Sequence, residues 1–331
     1  MINGCFKRHQ AWLWVVLLFL LAGSGAAMAQ QQDFEQWLSE FRQEALSKGI
    51  SKETFDQAFK GVAPIPRIIE LDRKQPEFTL TLDQYLSRVV PKRRISLGKK
   101  KLEENRELLQ QVADKYGVQP RFLVAFWGIE TDFGRLSGGY SVIAAITTLA
   151  YDGRRSEFFR NQLMDALQIL EEGHVVPEQM TGSWAGAMGQ TQFMPSTFLA
   201  YAVDFDGDNK IDLWNSKADV FASAANYLAK VGWQEDQTWG REVKLPKGFD
   251  KSLLGLETKK SLEEWDKLGV HRITGKQLPG VDLMASIVQP DEDNKKGRTF
   301  LVYDNYRAIM HWNKSHKFAV AVGTLADGIG R

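Results

Sequence analysis

The chain has 331 residues, with 42 basic and 41 acidic side chains and a formal net charge of +1. That balance names no partner by bulk charge, and the basic runs Lys92-Arg93-Arg94 and Lys99-Lys100-Lys101 lack the interleaved aromatics of a nucleic-acid groove, so they read as a solvated helix face. One cysteine, Cys5, excludes an internal disulfide or a Cys-based zinc site, and a chain this long buries a core without either.

The N-terminus carries Lys7 and Arg8, then the apolar block Ala11–Gly23, then small residues ending in Ala27-Met28-Ala29. This order predicts a cleaved signal peptide over 1–29 and a mature start at Gln30. The block is short for a membrane span, and Cys5 lies before it rather than at its end, so no lipoprotein attachment site is expected. Residues 30–100 read as an N-terminal helical domain, with Phe34, Trp37, Leu38, Phe41 and Leu46 at helical spacing. A charged helix is expected from Ser96 to Tyr116, ended by Gly117. Residues 101–233 read as the helical core, 234–305 as a small β-containing module, and 306–331 as the last part of the core, with a helix over 315–326. The β reading rests on the short runs REVKLP, SIVQP and TFLVYD between Gly, Pro and Asp clusters. The fold class is therefore mainly α with a small β-containing insertion.

Within the core, Pro120 opens the run ending FLVAFWGIETDFGR (Phe122–Arg135). Phe122 to Ile129 are all apolar or Gly, so a helix here is buried on every side. Glu130 then stands at its C-terminal end, where poor solvation and the negative helix pole both push a carboxyl pKa up, as a general acid needs. An exposed Glu just past a helix end would do nothing. Further helices are expected over 156–172, 195–203 and 217–231, the last opened by the capping-box pattern Ser216-x-x-Asp219.

The segment GSWAGAMGQTQFMPSTF (Gly182–Phe198) is rich in small residues, and Ser183, Gln190 and Gln192 offer neutral hydrogen bonds that suit a sugar. A tight contact between elements would also need small residues. The run DFDGDNKIDLWN (Asp204–Asn215) has EF-hand spacing: Asp204, Asp206 and Asp208 at positions 1, 3 and 5, the Lys210 carbonyl at 7 and Asp212 at 9. Two residues depart from the pattern. Asn209 replaces the Gly at position 6, which Asn tolerates because it enters the left-handed region readily. Asn215 at position 12 lacks a bidentate carboxylate. An acidic turn without metal is the other reading. The His residues show no zinc spacing, and no nucleophile elbow, P-loop or dinucleotide fingerprint occurs.

GIETDFGR together with GSWAGAMGQTQFMPSTF closely resembles the B-type lytic murein transglycosylases, bacterial enzymes that cleave peptidoglycan glycan strands. The resemblance runs from about residue 35 to the end and is strongest at 126–135, 182–198, 204–214 and 311–319. It implies a lysozyme-like helical core, Glu130 as the single catalytic acid/base, and a saccharide cleft holding Ser183, Gln192, Tyr227 and Asn313. Trp312 and Phe318 stand where relatives carry tyrosines. They keep an aromatic face for stacking and lose a hydroxyl, or serve as core aromatics. The resemblance also implies a structural Ca²⁺ on the loop (Asp204, Asp206, Asp208, Lys210 and Asn215), no cofactor for catalysis, and a periplasmic location. Its partners would be glycan strands and, among proteins, cell-wall synthases, with no nucleic acid. The expected reaction splits the bond between N-acetylmuramic acid (MurNAc) and N-acetylglucosamine (GlcNAc), leaving 1,6-anhydro ends. A hydrolytic muramidase on the same fold, or a non-catalytic murein-binding protein, are the alternatives.

Overall fold

A computed structural model describes residues 33–74, 80–291 and 297–330. The signal-peptide reading falls on residues 1–29, outside the described residues. Among the described residues no helix is long and apolar enough to cross a membrane.

The chain begins with α1 (33–47), α2 (Lys52–Ala58), α3 (Pro66–Arg73), α4 (Leu82–Val89), α5 (Lys92–Glu104), α6 (Arg106–Tyr116) and α7 (Pro120–Thr131). After β1 (Tyr140–Ser141) come α8 (Val142–Tyr151), α9 (Ser156–Glu171), β2 (Thr181–Gly182), α10 (Pro195–Tyr201) and α11 (Lys217–Lys230). The single helix expected from Ser96 to Tyr116 is two. Asn105 ends α5 and starts α6, and its amide donates to the Lys101 carbonyl at 2.7 Å. An Asn side chain that competes for backbone groups breaks helices in this way.

The β module holds β3 (Gly240–Lys244), β4 (Gly255–Ser261), α12 (Leu262–Lys267), β5 (His271–Arg272), β6 (Met284–Val288) and β7 (Thr299–Val302), in the sheet order β4-β6-β7-β3-β5. Side chains alternate between its two faces. Val243, Ile287 and Leu301 pack with Trp265 into a small core of the module, while Val288, Phe300 and Val302 face the main helical core. Polar Lys259 and Lys260 break the hydrophobic alternation of β4, which is why the sequence reading missed that strand. α13 (Asp304–Trp312) and α14 (His316–Ile329) close the chain, α14 capped by the Ser315 hydroxyl.

Two large apolar cores result. One gathers α7 and α14 with α4 to α6, α11, α13 and one face of the sheet. The other joins α1 to α3 with α8 and α9. The helices read as one N-terminal domain therefore divide: α1 to α3 serve the second core, α4 and α5 the first. α7 is the central helix, and Phe122 to Gly128 are all buried. Gly128 is required there, since a Cβ would lie 2.8 Å from the Phe133 ring and 3.2 Å from Leu325 of α14. Tyr227 and Trp312 pack against both cores at once, so the C-terminal end of α7 lies at the seam between them.

Candidate active site

α7 ends in a strained turn. Asp132, Phe133 and Gly134 follow Glu130 with φ of 50°, 63° and 81°, three successive residues in the left-handed region. Such backbone persists only where its surroundings hold it. Here the Thr131 hydroxyl accepts from Gly134 N at 3.1 Å and donates to the Gln190 carbonyl at 3.1 Å. Asp132 is held by Arg93, Arg94 and Arg135, which keep its carboxyl down at about 2. Two members of the basic run thus fix the turn after Glu130 instead of forming a free solvated face.

Glu130 is part-buried in an apolar setting of Leu123, Phe126, Trp127, Val220, Phe221, Ala224 and Trp312. Its carboxyl is pushed up to about 7, above all by loss of hydration. The Trp312 indole N–H, which donates to Oε1 at 2.8 Å, works the other way. No charged neighbour contributes to the shift. Trp312 thus offers a hydrogen bond through its nitrogen as well as an aromatic face. Its ring lies 4.5 Å from Phe126, 5.2 Å from Phe193 and 5.1 Å from Tyr227 between centroids. The Tyr227 hydroxyl donates to the His311 carbonyl at 2.9 Å, which ties α11 to α13 beside the site.

The loop of small residues folds on itself. Ser183 N donates to Ala187 O at 2.8 Å, and Met188 and Phe193 exchange both backbone bonds. A Cβ on Gly182 would collide with the Ala187 carbonyl, and one on Gly189 would lie 2.5 Å from the Leu213 carbonyl. These two glycines serve close backbone packing rather than ligand approach. The Ser183 hydroxyl accepts from Ala185 N and Ala187 N, and the Gln192 amide donates to the Ser137 and Gly189 carbonyls. The hydroxyl proton of Ser183 and the amide oxygen of Gln192 keep hydrogen-bonding capacity. Gln190 has its side chain committed, accepting from Trp127 Nε1 and donating to the Trp214 carbonyl, both at 2.7 Å. Asn313 is exposed at the end of α13, its side-chain oxygen accepting from Ser315 N at 3.1 Å. Phe318 needs correcting as a cleft residue: it is 4% exposed and packs 6.2 Å from Phe126 within the core. On α14 that position faces α7, and what remains of its surface lines a cavity beside Asn313 and Ser315.

The acidic loop differs from the EF-hand reading in its members. Asp204, Asp206 and Asp219 place carboxylate oxygens within 4.8 Å of one another. Asp208 instead closes a local turn by accepting from Lys210 N at 2.8 Å, and the Asn215 amide bonds Asp212. Asn209 does enter the left-handed region, with φ of 70°. Asp219 was read as half of a capping box. Its backbone N–H does donate to Ser216 Oγ, but its carboxylate turns to the loop and accepts from Phe205 N and Asp212 N at 2.8 Å. Burial and the neighbouring Asp206 and Asp204 raise its pKa. A buried carboxylate beside two like charges is costly, and a hard cation would relieve it. The loop also braces the active site, because Leu213 O accepts from Gln190 N at 2.7 Å.

The profile described as the transglycosylase SLT domain matches residues 33–327. The chain is 33% identical over 229 residues to the membrane-bound lytic murein transglycosylase B of Escherichia coli (strain K12), covering 67% of this chain and 60% of that relative. The match therefore spans less than two thirds of the relative's length. The structure of SltB3 from Pseudomonas aeruginosa in complex with NAG-anhNAM-pentapeptide is similar at a TM-score of 0.86 and 47% identity, covering 89% of this chain and 79% of that one. The E. coli lytic transglycosylase Slt35 in complex with calcium is similar at 0.74 and 26%, covering 90% and 92%. With its mainly helical, lysozyme-like architecture and a profile match over nearly all the described residues, the chain belongs to the transglycosylase SLT domain family.

Proposed function

We propose that this chain is a lytic murein transglycosylase acting on peptidoglycan glycan strands, with Glu130 as its single acid and base. The observation that carries the reading is one carboxyl, raised to about 7, as the only acid among the described residues that line its cavity. Two-carboxylate glycosidases need a second acid about 5–9.5 Å away to act as nucleophile or to activate water. Here the substrate supplies that role. Protonated Glu130 gives its proton to the glycosidic oxygen as the C1–O bond breaks, and the MurNAc acetamido oxygen closes on C1. Ionised Glu130 then takes the proton of the C6 hydroxyl, whose oxygen attacks C1 and displaces the acetamido oxygen. The product is a 1,6-anhydro sugar, and no water is consumed. A tethered hydroxyl has the advantage of proximity over solvent. Ser183, Gln192, Tyr227 and Asn313 fit the polar lining of the saccharide cleft. Export by the signal peptide would put the enzyme in the periplasm with its substrate, where cell-wall synthases are the partner class.

Digestion of purified murein should yield muropeptides ending in 1,6-anhydro-MurNAc. Mass spectrometry reads this directly, as each product is lighter by one water than a muramidase product. Mainly reducing ends would leave the fold standing and assign the protein as a hydrolase.

We also propose a structural Ca²⁺ held by Asp204, Asp206 and Asp219, which adds Asp219 to the expected set of Asp204, Asp206, Asp208, Lys210 and Asn215. The supporting observation is the convergence of these three carboxylates. A metal bound only by the folded state stabilises by about 2.7 kcal/mol at a hundredfold excess over Kd. Millimolar Ca²⁺ should therefore raise the Tm of the parent by several degrees and EDTA should reverse it, while Asp219→Asn removes the calcium-dependent increment. Calorimetry with no increment in the parent would leave the loop an unmetallated turn.

A further inference from the structure

The wall of the Glu130 cavity includes a polar group that the mechanism above does not use. Thr191 is 4% exposed, and its hydroxyl has no hydrogen-bond partner among the described residues. A hydroxyl buried without a partner costs about 1–3 kcal/mol, so in a native fold it calls for an explanation. Thr191 and Glu130 line the same cavity. Its volume is about 10 Å³, close to the minimum that one water occupies. The other residues around it are Leu123, Phe126, Trp127, Val220, Phe221, Ala224, Trp312 and Gln190. The Trp312 N–H is spent on Glu130 and the Trp127 N–H on Gln190, whose amide also serves the Trp214 carbonyl. Glu130, with one carboxyl oxygen, and Thr191, with its whole hydroxyl, have capacity to hold a water, and the Gln190 amide keeps one N–H beside them.

We propose that Thr191 is a positioning residue for the reaction: its hydroxyl and Glu130 share one ordered water in this cavity. The inference rests on Glu130 being the acid and base. The Trp312 indole holds one carboxyl oxygen and the Thr191-bound water steadies the other. A donor on each oxygen fixes the carboxylate plane and favours the ionised form, which the second step needs as base. Charged groups on the surrounding elements have partners of their own, among them Asp304 and Arg307 of α13, which bond Lys259 and Ser286. Arg93 and Arg94 of α5 and Arg135 hold Asp132, Lys115 of α6 lies over the Tyr116 and Phe205 rings, and Arg121 at the start of α7 pairs with Asp327. Asp219 of α11 serves the acidic loop, Tyr227 the His311 carbonyl, and Lys317 of α14 the Leu80 carbonyl and Asp291. Removal of the Thr191 hydroxyl is read at Glu130, the titratable group that lines the same cavity.

The test is the pH profile of kcat/KM on purified glycan strands, whose basic limb reports protonated Glu130 in the free enzyme. Thr191→Val keeps the shape and loses the hydroxyl. It should move that limb up by about one pH unit and lower kcat about tenfold, the scale of one hydrogen bond to a charged group. Thr191→Ser should return both to the parent values. A Val profile that superimposes on the parent, or Ser and Val profiles shifted alike, would overturn the proposal. A high-resolution crystal structure of the unaltered protein tests it without any variant. Density for one water within hydrogen-bond reach of Thr191 Oγ1 and Glu130 supports it, and a dry cavity sinks it. Loss of anhydro products from the parent itself would instead count against the enzymatic reading.

Discussion

Glu130→Gln should abolish turnover while leaving the fold intact. The amide matches the carboxyl in shape and can still accept from the Trp312 indole, which bonds Oε1 at 2.8 Å. It has no proton to give to a leaving oxygen and no basicity to take one from the C6 hydroxyl. General acid–base help is worth about 10²–10⁴-fold per step, and in the proposed reaction one group performs both steps. Turnover within about tenfold of the parent would sink the assignment. The same carboxyl makes a second, independent signature in stability. Its folded pKa of about 7 stands above the ordinary 4.5, so the folded state binds the proton more tightly than the unfolded chain. That stabilisation is fully present below pH 4.5 and is lost as pH rises through about 7. The parent thus carries an ionised, poorly solvated carboxylate at pH 8 that the amide variant lacks. Glu130→Gln should melt higher than the parent at pH 8, by an amount of order 3 kcal/mol at most, with the gap closing towards pH 4. An inactive variant with no such pH-dependent gain would mean that Glu130 is hydrated and that its role needs another account.

What could be read in the sequence followed from local pattern. The apolar run Phe122–Ile129 announced a buried helix because every position was apolar or Gly, and Pro120 marked its first turn as observed. Helices α9, α10, α11 and α14 emerged within a few residues of their expected bounds. Three β runs were visible because β-branched and aromatic residues cluster between turn residues, whereas β4 was hidden by lysines. Long-range partnerships were not legible. Asp132 looked like a turn acid and Arg93-Arg94 like a solvent face, and only the fold brings them together across 39 and 38 residues of chain. Asp219 carried a true local signal, its backbone N–H bonding Ser216 as a cap residue should, yet its carboxylate answers to the acidic loop. Trp312 was read through its ring, and the decisive atom is its nitrogen. Phe318 was placed by analogy in a cleft, and the fold buries nearly all of its ring against α7. The glycines of the 182–198 loop admitted two readings, and backbone contacts at Gly182 and Gly189 favour packing.

Asp132→Asn should be the most destabilising exchange of a single polar side chain near the site. The carboxylate is 1% exposed and receives Arg93 at 2.8 Å, Arg94 at 3.1 Å and Arg135 at 2.7 Å. An amide neutralises the centre and leaves guanidiniums facing one another. Breaking a buried ion pair on one side costs about 3–5 kcal/mol, and the lower end applies here because Arg93 and Arg135 are more than half exposed and can hydrate. Arg94 is 14% exposed and has less recourse to water, so Arg94→Ala should cost more than Arg93→Ala. The pH dependence has a definite sign. The folded pKa is depressed from 3.8 to about 2, so the contribution is complete above about pH 4 and is lost as pH falls through 2. Chemical denaturation of the parent should therefore show a loss of stability between pH 4 and 2 that Asp132→Asn lacks. Activity should fall with stability, because the turn that Asp132 opens carries three left-handed residues and begins two residues after Glu130. Freed of the arginines, that turn relaxes, and the carboxyl two residues earlier loses its fixed bearing on Trp312. A variant within about 0.5 kcal/mol of the parent would mean that water replaces the arginines and that the strained turn is held by Thr131 and Gln190 alone.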